Sequence, residues 1–164
     1  QVFSEMLGIS YTLTTDEESF AASQLPKINY SYNSIGDELF FQAKNLLFET
    51  GINEQNISVF EWENTKAFFS TSKKSALPFD LFAASFFMLS RYEECLPHRR
   101  DHYNRFEAKE SVAHINGFLK KPVVNIWVKK LKQILHHEKV DFQSTRKELN
   151  LCLIYLQQLK LRGQ

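Results

Sequence analysis

The chain has 164 residues, 43% of them hydrophobic, with 15 Phe and 6 Tyr against only 5 Gly and 4 Pro. That length fits one domain with a sizeable core, and the scarcity of Gly and Pro argues against a collagen-like or linker-like chain. Basic and acidic residues nearly balance at net +1, which gives no general pull towards nucleic acid or an anionic membrane.

In chain order, residues 2–7 read as the end of a helix closed by Gly8, and residues 9–14 alternate as a half-buried strand does. Thr15 and Glu18 have the spacing of a capping box for a short helix over 17–24, which Pro26 ends. Residues 27–32 alternate again and predict a second strand. Residues 38–42 and 46–49 predict two short strands joined as a hairpin at 43–45. Residues 57–62 predict a further strand, and residues 66–69 fit either a strand or one helical turn. The polar stretch 70–75 is a surface loop between a strand-rich part, 1–69, and a helix-rich part, 78–161.

Asp80 is a good N-cap for a helix that runs to Leu96 and is stopped by Pro97. Residues 81–89 are apolar nearly all round and predict buried framework. Residues 98–106 lack periodicity and predict a loop, and 111–118 is ambiguous with a turn at Gly117. Residues 121–137 make the clearest amphipathic helix. Pro122 suits its first turn, and Val124, Trp127, Val128, Leu131, Ile134 and Leu135 form its stripe. A last helix is expected from Thr145, striped by Leu149, Cys152, Leu153, Leu156 and Leu159. The fold class is therefore mixed α+β, one domain over 1–164. Its small twisted sheet comes from the N-terminal half and packs on three or more helices, the central one being residues 80–96.

Cys95 and Cys152 both fall in apolar helical segments and read as small hydrophobes in a reducing compartment. No signal-peptide pattern appears, and no apolar run approaches the roughly 20 residues of a membrane span. A cytoplasmic or membrane-peripheral location is expected rather than a secreted one.

Chemistry concentrates after the apolar half of the central helix. Arg91, Tyr92, Glu93 and Glu94 end that helix, and Asp101 and Arg105 follow in the loop. Together they form a ligand-contacting cluster or a structural ion-pair network. Adjacent carboxylates could divide acid and base roles, but neighbours in a helix point about 100° apart. Two negative charges at a helix C-terminus also oppose its dipole, so a cation should compensate them, with Arg91, Arg99, Arg100 and Arg105 available. His98 and His102 have a spacing that could hold zinc, but they supply only two ligands in a segment that reads as a solvated loop. No phosphate-binding, dinucleotide-binding or nucleophile-elbow motif is present. The lysines of 120–132 read as a solvated face, because Trp127 lies on the apolar stripe rather than among them. No cofactor and no nucleic-acid partner is expected.

Leu77-Pro-Phe-Asp-Leu-Phe-Ala-Ala-Ser-Phe-Phe-Met-Leu-Ser-Arg-Tyr-Glu-Glu resembles the signature of a domain found ahead of the catalytic domain in polysaccharide deacetylase-like proteins of Bacteroidetes. The likeness continues through Leu96-Pro-His, Asp101-His-Tyr-Asn-Arg-Phe and Pro122-Val-Val-Asn-Ile-Trp and covers roughly residues 1–135. The resemblance implies a non-catalytic accessory domain that positions a catalytic deacetylase domain or partner protein, or contacts glycan. The aspartate and histidine motifs of the catalytic part are absent, since His98 and His102 match only a histidine spacing. Two other readings stay open. One is a small hydrolase acting on a polysaccharide through the charged cluster at 91–105. The other is a structural interaction domain, dimeric through Trp127 and its helix.

Overall fold

The structure is a computed structural model that describes residues 2–8, 11–137 and 152–156. A π-helical turn, Val2–Met6, leads to Gly8 at φ +67°, so the expected helical end and its glycine are both there. Strand β1 (Tyr11–Thr14) is followed by helix α1 (Glu17–Ala22). The α1 cap is Asp16 rather than Thr15, with Asp16 Oδ2 accepting from the Ser19 N–H at 3.1 Å. A carboxylate is a strong acceptor at a helix start.

Strands β2 (Lys27–Ser31) and β3 (Leu39–Gln42) run parallel, with Ile28 opposite Leu39. Their connection is short for a parallel crossover, and buried polar groups hold it in place. Asn29, fully buried, donates from Nδ2 to the Asn33 carbonyl at 3.1 Å and to Glu38 Oε1 at 2.8 Å. The same Glu38 carboxylate accepts from the Ile35 and Gly36 N–H groups at 2.7 and 2.6 Å. Burial pushes the Glu38 carboxyl up, but these donors outweigh it and leave the group below its ordinary value.

The expected hairpin over 38–49 does not form. Residues Asn45–Phe48 wind into a 3-10 helix instead. Lys44 N–H is tied to Asp80 Oδ2 at 2.6 Å, which turns the chain away from β3 before a return strand can begin. The hairpin lies further on, between β4 (Phe60–Trp62) and β5 (Thr65–Ala67), so the ambiguous 66–69 segment is strand at its start.

Helix α2 (Leu81–Leu89) opens on Asp80, whose Oδ1 accepts from the Phe82 and Ala83 N–H groups at 3.0 and 2.9 Å. The expected helix to Leu96 is shorter. Arg91 adopts the left-handed conformation at φ 55°, and the chain restarts as a 3-10 turn over Tyr92–Cys95. Nor is 81–89 wholly buried, because Phe86 and Leu89 are 42% and 49% exposed. Cys95 is an exposed free thiol rather than a packed hydrophobe, for it belongs to the turn and not to an apolar helix face. Left-handed backbone is costly for a side-chain-bearing residue, and the Arg91 ion pair is on the surface. Arg91→Gly is therefore expected to raise stability by about 0.5–1 kcal/mol, read as a higher urea midpoint at an unchanged slope.

Helix α3 (Val112–Ile115) is a single turn capped by Ser111, and Gly117 turns the chain at φ +71°. Helix α4 (Val123–His137) buries Val123, Val124, Trp127, Val128, Leu131 and Leu135, which is the expected stripe shifted by one member. Strand β6 (Cys152–Leu156) lies where part of a helix was expected; the rest of that helix, including Leu149 and Leu159, falls outside the described residues. β6 pairs in parallel with β1 on one side and β2 on the other, giving the order β1-β6-β2-β3. A five-residue apolar run has no periodicity that separates helix from strand, and the open slot between β1 and β2 selects the strand. The sheet thus draws one of its two inner strands from the C-terminal part. The fold is mixed α+β, a small sheet packed against several helices, with a single aromatic-rich core.

Candidate functional site

The candidate site is the surface where α2 gives way to the 3-10 turn and the loop after it. Arg91, reversed by its left-handed backbone, places Nε 2.6 Å from Glu94 Oε1. Tyr92 turns inward and is buried against Phe87, while its hydroxyl donates to the Asn53 carbonyl at 3.0 Å and accepts from the Asn53 N–H at 2.8 Å. It anchors the 50–55 connection. Glu93 points away from Glu94, and its Oε2 accepts from the Val112 N–H at 2.9 Å, at the start of α3. Burial raises the Glu93 carboxyl above its ordinary value, opposed by that bond and assisted by the charge of Glu94.

Asp101 organises the loop. Its Oδ1 accepts from the Tyr103 and Arg105 N–H groups at 2.8 and 2.9 Å, and its Oδ2 accepts from Arg105 Nε and Nη2 at 3.0 and 2.8 Å. Those donors, the Arg105 N–H foremost, hold the Asp101 carboxyl below its ordinary value. Asn104 takes the left-handed position of the turn at φ 63°, and Arg100 and Phe106 close it through an antiparallel bridge. What read as a loop without periodicity is therefore a built turn. The signal for it was present as an Asp with an Asn three residues on, a pair that favours tight turns.

Two cavities flank this region. The larger, about 670 Å³, is an open groove lined by Arg91, Glu94, Arg100, Asp101, Arg105 and Phe106, among others. The smaller, about 360 Å³, has Glu93, Glu54, Glu110 and Arg99 on its walls. His98 and Phe106 line both, with ring centroids 5.1 Å apart, and so form the wall between them. Of the expected cluster, Arg91, Glu94, Asp101 and Arg105 come together in the groove. Glu93 belongs to the other cavity and Tyr92 to the core. Phe106, Asn104 and Glu107 were not singled out from the sequence, because only the turn brings them beside residues of the preceding helix.

The two histidines make separate local contacts. His98 is held by its Nδ1 against the Leu96 carbonyl at 2.7 Å, and the His102 ring packs on Tyr103 at 3.7 Å. Among the described residues, no group of three or more His, Cys, Asp and Glu could hold a metal ion. His102 lines neither cavity, so Glu93, Arg105 and His102 do not converge. Trp127 is fully buried, which leaves it unable to serve as a dimer contact. No helix among the described residues is long and apolar enough to cross a membrane.

Residues 1–140 match the model of a family of unknown function, DUF7033. Neither the curated proteins nor the solved structures include a match to this chain.

Proposed function

We propose that this protein, which belongs to the DUF7033 family of unknown function, is a non-catalytic accessory domain that contacts glycan through the groove at residues 91–108. The wider setting, a polysaccharide deacetylase-like system with a catalytic domain or partner to position, comes from the resemblance carried by residues 77–94. One observation carries the choice of surface. An open groove of about 670 Å³ sets guanidinium and carboxylate groups around the Phe106 ring. A sugar ring offers hydroxyls at its rim and an apolar face, and such a groove can meet both.

The carboxylates of the groove suit binding better than proton transfer. Asp101 has both oxygens engaged by donors and stays ionised, and Glu94 is paired with Arg91. An acid–base pair would need one carboxyl raised beside one left low in a shared space. Glu93 is the raised one, and it opens on the other cavity.

Calorimetric titration with a panel of neutral and acidic oligosaccharides tests the reading. Saturable binding with Kd of about 0.1–1 mM is expected, the range of a shallow site with few anchors. Phe106→Ala is expected to weaken it about fivefold or more, losing roughly 1 kcal/mol of ring contact. Thermal unfolding of the same sample separates that loss from misfolding. Absence of binding by every glycan at about 10 mM, weaker than about −3 kcal/mol, would remove the proposal.

A further inference from the structure

The charges of the groove are neutralised in place with one exception. Arg91 has Glu94, Arg105 has Asp101, and Glu107 Oε1 lies 2.6 Å from Lys109 Nζ. Arg100 has no carboxylate partner among the described residues. Its Nη1 donates to the Asn104 carbonyl at 3.1 Å and lies 3.4 Å from Asn104 Oδ1, and both acceptors are neutral. Nε and Nη2, which form the opposite edge of the guanidinium, carry no bond to any described residue. The backbone beneath is fixed by the bridge from Arg100 to Phe106 and by the left-handed turn at Asn104. One edge of a charged, planar fork is therefore clamped and the other is free, on a residue that lines the groove together with Phe106.

That open edge has two parallel N–H donors, the arrangement that accepts a carboxylate in bidentate fashion. A neutral sugar would leave it solvated, whereas a sugar carboxylate gains two charge-assisted bonds. We infer that the groove takes a uronic acid residue of an acidic glycan, its carboxylate forked onto Nε and Nη2 of Arg100 and its ring beside Phe106. This deepens the glycan reading of the same groove and rests on it.

The test is titration of the protein with hexagalacturonate, with the same hexamer methyl-esterified at its carboxyls, and with neutral cellohexaose. The acid is expected to bind about tenfold more tightly than the ester, the value of one good charge-assisted contact. Arg100→Gln is expected to erase that preference. Arg100→Lys should retain only part of it, because an ammonium is a point charge and cannot fork. Arg100 is exposed, so both variants should melt close to the unsubstituted protein. Equal affinity for acid and ester overturns the inference while leaving the glycan reading standing, as does a preference that survives Arg100→Gln. Failure of all three hexamers to bind overturns both.

Discussion

Replacing Asp80 with Ala is expected to destabilise the fold by about 3–5 kcal/mol. Asp80 is 2% exposed and has both oxygens engaged. Oδ1 takes two of the free N–H groups of the first turn of α2, at Phe82 and Ala83. Oδ2 takes the Tyr30 hydroxyl from β2 at 2.8 Å and the Lys44 N–H after β3 at 2.6 Å. One side chain therefore joins the central helix to the sheet and also ends the sheet segment that follows. Truncation leaves four donors without an acceptor, two of them, the Tyr30 hydroxyl and the Ala83 N–H, buried and the other two part-buried. Asp80→Asn keeps Oδ1 but turns an NH₂ towards the Lys44 N–H, which can only donate. It is expected to cost less, about 2–3 kcal/mol. Urea unfolding of the three proteins at pH 7 checks the order. A cost under about 1 kcal/mol for the Ala variant would show that water reaches these donors.

The same residue makes a pH-dependent contribution. Burial raises the Asp80 carboxyl from 3.8 to about 6, against the bonds from Ala83, Lys44, Tyr30 and Phe82, which lower it. The Tyr30 phenol is driven far above its ordinary range by burial and by the facing carboxylate, so it remains a donor throughout. The folded chain holds the Asp80 proton more tightly than the unfolded chain does. The contribution is thus fully present below pH 3.8 and is lost as pH rises through about 6. The stability difference between the unsubstituted protein and Asp80→Asn should fall by about 3 kcal/mol over that window and level off above it. Denaturation midpoints measured from pH 4 to 8 would reveal the slope, and a flat difference would contradict it.

Trp127→Ala is expected to cost about 4 kcal/mol, and Trp127→Phe about 1–2 kcal/mol. The indole is fully buried on α4, with ring centroids 5.7 Å from Phe68 and 5.4 Å from Phe79. Its Nε1 donates to the Lys66 carbonyl on β5 at 3.1 Å, so it fastens the last long helix to the hairpin. Phe fills most of the volume but abandons that carbonyl. Calorimetric melting of both variants measures the two terms separately.

The contrast between α4 and the 80–96 segment shows what could be read from the sequence. The α4 stripe repeats at helical spacing over fifteen residues, and each buried member lies where that spacing puts it. The segment after Asp80 has no such contrast, since it is apolar all round at first and polar afterwards. Its start was legible from one capping carboxylate, but its end was not. The left-handed Arg91 is decided by packing of Tyr92 into the core, which needs partners distant in the chain. The groove follows from that reversal. Arg91 and Glu94 line it with Asp101 and Arg105, while Glu93, adjacent in sequence, lines the other cavity.

By itself the sequence determined those features whose cause is local. These are the Asp80 cap, the α4 stripe, the glycine turns at Gly8 and Gly117, and the charged surface at 91–105. Tertiary structure decided where a segment's own preferences were evenly divided or were overridden by a partner far along the chain. Residues Asn45–Phe48 coil because Asp80 holds Lys44, and Cys152–Leu156 extends because β1 and β2 leave a slot for it. Short apolar stretches satisfy their backbone equally well as helix or strand, so the choice passes to whatever supplies the missing hydrogen bonds.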